Sequence, residues 1–300
     1  MPGESKTAVV GAVAAGVAIA ITKFAVAALG NSSAMFSEGI HSTVDTANDS
    51  LLLLGLKRSK RPPDSQHPFG YGKELYFWSL IVSVTVLAVG GGVTVYEGVL
   101  HIVKPEHIHR PLWAYLALGC AFLFDGISLI IGLKQFRTQN KDKPFWEAIK
   151  EAKDPSTFMV IGEDSAALIG VLIAAAGIYP NSRGFLAADG ISSLLIALLL
   201  GALAVFLIYE TRDLLIGEAV EKEISQTICK IAEEDGSTVE VGTPQTMHFG
   251  PENVLVTMDV AFDRNRSAGE VADAVDRIQK AIREKFPAVK HVYIDPESRR

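Results

Sequence analysis

Side chains able to bind cations stand in this chain where charge is costly. The stretch Ser37–Gly55, SEGIHSTVDTANDSLLLLG, is mostly apolar, yet it carries Glu38, His41, Asp45 and Asp49. Read as a helix, steps of three, four and four residues put His41, Asp45 and Asp49 on one stripe, with Glu38 beside it. Imidazole and carboxylates on one face of an apolar helix are expensive to bury. They are retained where they line an ion path or pair with something. One turn apart, His41 and Asp45 can share a cation: imidazole suits zinc and similar first-row metals, carboxylate suits harder ions as well. A hydrogen-bonding pair between helices is the plainer use, but Asp49 and Glu38 add charge that it does not need.

Asp164, early in another apolar stretch, is the best partner for that stripe. Its neighbour Glu163 points roughly 100° away on an ideal helix, toward the same ion or toward a lysine. Asp125, inside a further apolar stretch, is either a compensating carboxylate or a hydrogen-bonding group within the bundle. Asp189 reads as structural.

The elements that must position these groups are long and apolar. Of 300 residues 49% are hydrophobic, and they fill the chain up to about Tyr209. Six stretches reach the ~20 residues needed to cross a bilayer: Thr7–Leu29, Ser33–Leu56, Leu75–Val103, Leu112–Leu133, Phe158–Ile178 and Phe185–Ile208. Lys23 lies inside the first, and the short link Gly30-Asn31-Ser32 makes an antiparallel hairpin of the first two. Lysines and arginines gather in the loops after spans two, four and six, which puts both termini on the cytoplasmic side. The expected domains are 1–210, a six-helix membrane bundle, and 211–300, a small cytoplasmic domain. In the latter, Leu214–Glu234 reads as an amphipathic helix. Strands then lead through Thr246–Gly250 and Asn253–Phe262 to a helix, Ala268–Lys285, and a last strand, Val289–Ile294. That α-β-β-α-β order is a two-layer α+β unit, ferredoxin-like in kind. A net charge of −6 and the lack of a basic tail argue against nucleic-acid binding. Cys120 and Cys229 are too far apart for a metal or redox motif. No HExxH or nucleophile motif supports an enzyme.

The HxxxD of span two, HPFGYGKE entering span three, DSAALIGVLIA in span five and ADGISSLLIALLL in span six together resemble the cation diffusion facilitator family. The resemblance covers nearly the whole chain. It implies a homodimeric exporter of divalent metal, mostly zinc, driven by proton exchange and using no organic cofactor. It carries the transport ligands onto His41, Asp45 and Asp164, with a fourth at position 160. That position is Val160, which cannot coordinate; Glu163 or a water can substitute, and manganese, iron or cobalt stand as alternatives to zinc. Asp64 and His67 match the family's loop metal site, although they also suit a turn after Pro62-Pro63. His248, Asp259, His291 and Asp295 correspond to a cytoplasmic metal site, for which a solvated surface is the plainer expectation. Metal and protons would compete for the same ligands. A non-transporting sensor or scaffold that keeps the fold is the alternative. The expected location is a bacterial cytoplasmic membrane, with lipid, metal, protons and a second copy of the chain as partners.

Overall fold

The computed structural model describes residues 16–18, 20–22, 24–25, 33–105, 111–139, 144 and 154–297. Most of the expected first span, Lys23 and the hairpin link after it lie outside the described residues. So do Lys141, Lys143, Lys150 and Lys153 of the loop between spans four and five.

Contacts divide the chain into two compact units, 1–56 with 77–211, and 57–76 with 212–300. The first is helical. Helix α1 spans Ser33–Ser59, α2 Lys73–Val103, α3 Pro111–Gln139, α4 Pro155–Ser182 and α5 Ala187–Ile216. Among the described residues four helices are long and apolar enough to cross a membrane: α2, α5 and the greater parts of α3 and α4. The polar stripe of α1 keeps it out of that set, so the expected count of six rests on the sequence. Gly90-Gly91-Gly92 does not end α2. It relaxes into one π-helical turn, Val86–Gly91, and the helix resumes at Gly92. Helix α4 starts where Pro155 takes the first helical position and the Asp154 carboxylate accepts from the Ser156 backbone N–H at 3.0 Å. Helices α3 and α4 lie side by side and antiparallel. Phe136 meets Ile161 in a buried pair at one end, and Tyr115 donates to the Ala175 carbonyl at 3.1 Å at the other.

The second unit is the α+β domain. Its elements are α6 Lys222–Glu233, β1 Thr238–Val241, β2 Gln245–Gly250, β3 Asn253–Phe262, α7 Ala268–Lys285 and β4 Val289–Glu297. Strand β3 is the spine. Strand β4 runs parallel along one edge; β2 and β1 run antiparallel along the other, against its first and last halves. Ile228 and Ala232 of α6 and Ala274, Ile278 and Ile282 of α7 cover Val254, Val256, Met258 and Val260 on one face. A capping box starts α7, with Ser267 and Glu270 each closing on the other's backbone. Two details differ from the sequence reading. Strand β1 is additional, and the helix expected over Leu214–Glu234 is broken because Gly217 adopts φ +119°.

Candidate metal site

Helical spacing puts Asp45, Asn48 and Asp49 on neighbouring turns of α1. The side chains of Glu38 and His41 lie outside the described residues. Helix α4 contributes Glu163 and Asp164, and α3 contributes Asp125 and Ser128. The α3–α4 packing fixes the register: Gly132 leaves room for Ile161 and Val160, while Ser128 reaches the Asp164 carboxylate as a hydrogen-bond donor. Val160 therefore lies against Gly132 in an apolar seam, one turn before Asp164.

Five carboxylates converge electrostatically from three helices. Glu163 is within Coulombic reach of Asp45, Asp49 and Asp164. Asp164 is within reach of Asp45, Asp49 and Asp125. Adjacency on α4 does not separate Glu163 from Asp164 in this respect. Among the described residues, Glu163 Oε1 and Asp164 Oδ2 are buried with no hydrogen-bond partner, as is Asn48 Oδ1. A buried carboxylate oxygen left so costs several kcal/mol unless a proton or cation meets it. Among the described residues no three His, Cys, Asp or Glu side chains stand close enough to enclose a metal ion.

The other candidate residues are placed differently. In the loop, Asp64 Oδ1 accepts from the backbone N–H groups of Gln66 and His67 at 2.9 and 2.8 Å, and Oδ2 accepts from Tyr71 Oη–H at 2.6 Å. These bonds, that of Tyr71 first, hold the Asp64 carboxyl below its usual value and push the Tyr71 phenol up. His67 Nδ1 is 3.7 Å from Asp64, and its ring lies 4.2 Å from that of Tyr71. The sheet separates the four residues of the expected cytoplasmic site. Buried His248 pairs with Val254 and so shares the helix-covered face. Asp259 and Asp295 are in register on the opposite face, where His291 sits four residues from Asp295 beside Leu255. His248 therefore does not join the other three. Asp189 contacts His101 Nδ1 at 2.9 Å between α5 and α2, as suits a structural residue. Sequence reading did not find Ser128, three residues after Asp125 on α3, or Asn48, which is 2% exposed. The i,i+3 spacings Asp125–Ser128 and Asp45–Asn48 were the available signals.

The family model of the cation efflux transmembrane domain matches residues 9–216. The chain belongs to the cation diffusion facilitator family, whose members are multi-pass membrane metal transporters. It is 34% identical over 235 residues to the mouse "Proton-coupled zinc antiporter SLC30A9, mitochondrial", covering 77% of this chain and 41% of that protein. The Xenopus laevis protein of the same name is matched over 54% of its length. The chain thus spans about half the length of these relatives. It is 28% identical to the "Manganese efflux system protein MneP" of Bacillus subtilis, covering 89% of this chain and 86% of that one. Among solved structures, the isolated MamM C-terminal domain is matched over 26% of this chain and 98% of that one, at 15% identity and a TM-score of 0.25.

Proposed function

We propose that the chain exports a divalent metal cation from the cytoplasm in exchange for protons. Zinc is the first candidate; manganese, iron(II) and cobalt follow. One observation carries the reading: α1 and α4 hold carboxylates within mutual electrostatic reach, and Glu163 and Asp164 present buried oxygens without hydrogen-bond partners among the described residues. Such oxygens are satisfied by a cation or by protons, and ligands must lose their protons to bind metal. One site then exchanges the two species as it opens to either side. His41, Asp45 and Asp164 are assigned as ligands. Glu163 takes the place left by Val160, and Asp49 and Asp125 supply compensating charge. The names of the relatives, a proton-coupled zinc antiporter and a manganese efflux protein, support both the exchange and the choice of metals. We assign residues 1–210 to the membrane bundle and 211–300 to a cytoplasmic domain. The protein works as a homodimer with both termini cytoplasmic, in a bacterial cytoplasmic membrane, although the zinc antiporter relatives are named mitochondrial.

Val160 favours one second reading, a metal sensor or scaffold that no longer transports. Proteoliposomes decide between them. A transporter moves protons across the bilayer when metal is added on the opposite side; a scaffold binds metal with no transmembrane proton flux.

A further inference from the structure

The loop between α1 and α2 packs with the α+β domain: Lys57–Tyr76 clusters with the chain from Arg212 onward. The contacts are specific. The Phe69 ring stacks on Phe249 at 4.9 Å with 8° between planes, and it meets His291 edge-on at 5.1 Å. The Phe69 carbonyl accepts from Asn253 Nδ2 at 2.8 Å. Lys73 Nζ lies 5.3 Å from the Phe249 ring centre. Gly72 approaches β2 so closely that a Cβ there would run into the Phe249 carbonyl oxygen and lie 3.1 Å from Gly250 Cα. The loop is also closed on itself. Gly70, at φ +83°, donates to the His67 carbonyl at 2.9 Å, and both Asp64 oxygens are engaged by Gln66, His67 and Tyr71.

These residues do not fit a metal ion held by Asp64 and His67. A metal would have to displace three hydrogen bonds, including the 2.6 Å bond from Tyr71. We propose instead that the loop is a metal-independent latch. Phe69 seats in an aromatic slot formed by Phe249 and His291, and the Tyr71–Asp64 hydrogen bond closes the loop where the family resemblance calls for metal. The loop continues directly from α1, which carries Asp45 and Asp49. Phe69 is therefore a positioning residue for that helix. This consequence for transport rests on the proposed function; the latch does not.

The test uses the full chain in lipid nanodiscs. Hydrogen exchange is followed over residues 62–74, with β3 as the folding control, for wild type, Phe69→Ala, Phe69→Tyr and Tyr71→Phe. Each is measured in EDTA and in excess zinc. Wild-type protection is expected to be equal in both. Phe69→Ala and Tyr71→Phe lose about tenfold in loop protection with β3 intact, and Phe69→Tyr keeps it. Protection that falls in EDTA and returns with zinc overturns the latch, as does a Phe69→Ala loop as protected as wild type. In proteoliposomes Phe69→Ala lowers the maximal rate of zinc uptake about tenfold with KM within about twofold, and Phe69→Tyr restores it. An unchanged rate despite lost protection, or a change in KM alone, overturns the positioning role. Absence of uptake by wild type itself counts against the proposed function and leaves the exchange result to stand alone.

Discussion

Gly190 of α5 packs tightly against α2. A Cβ there would lie 2.7 Å from the Gly98 carbonyl oxygen, 2.7 Å from Ile102 Cγ1 and 2.9 Å from the Ile102 backbone nitrogen. Two of these neighbours are backbone, so a rotamer change cannot relieve them. Ordinary contact begins near 3.4 Å, and the helices must part by about 0.7 Å. A gap of that size forfeits about a quarter to a half of each dispersion contact along the crossing. It also pulls on the adjacent 2.9 Å His101–Asp189 pair. Overpacking of this kind costs about 1–3 kcal/mol, against which alanine returns up to about 1 kcal/mol of helix propensity. At about 2–4 °C per kcal/mol, the net cost of up to about 3 kcal/mol should make Gly190→Ala lower Tm by up to about 12 °C. Gly201, on the same helix, is the control, because a Cβ there meets nothing within 4 Å among the described residues. Gly201→Ala should leave Tm unchanged or raise it. Fluorescence-detected thermal unfolding of purified protein reads both. Equal shifts for the two variants would refute the argument that small residues at this crossing set the α2–α5 distance.

Arg277 donates to Asp235 at 2.9 and 3.0 Å and so holds that carboxyl below its ordinary 3.8. A depressed folded value gives stability that is present above the unfolded pKa and lost as pH falls through the folded one. Asp235→Ala should therefore weaken hydrogen-exchange protection of α7 by a constant factor above about pH 4 and converge on wild type as pH is lowered further. At position 160, Val160→His should move the ratio of zinc to manganese uptake toward zinc by about tenfold, because imidazole favours zinc. A ratio that stays put would mean that position 160 faces Gly132 alone.

Much of this molecule can be read from residue spacing, and the exceptions have physical causes. The α+β domain announces itself through the alternation in Asn253–Phe262 and the apolar stripe of Ala268–Lys285. Strand β1 does not, because four residues at an edge with an exposed Val239 carry too little pattern. The amphipathic stripe of Leu214–Glu234 runs through Gly217 without a phase change, so only the left-handed φ of that residue reveals the break. Carboxylates in apolar helices mark the candidate metal site, since charge stands out there. Ser128 and Asn48 do not stand out, and the bond from Ser128 to Asp164 depends on the register of α3 on α4. The loop was the hardest to read. Asp64 and His67 have the spacing of ligands, but Tyr71, seven residues on, takes one Asp64 oxygen, and Phe69 finds its partners some 180 to 220 positions away.

The most direct test of the metal site is uptake into inside-out proteoliposomes under an imposed pH gradient, with zinc, manganese, iron(II) and cobalt in parallel. Wild type is compared with Asp45→Ala, Asp164→Ala and Gly201→Ala. The carboxylate site predicts gradient-driven uptake by wild type and Gly201→Ala, and loss of about a hundredfold or more in both aspartate variants. Uptake that survives in Asp45→Ala and Asp164→Ala, or wild-type binding of metal without any uptake, would contradict it.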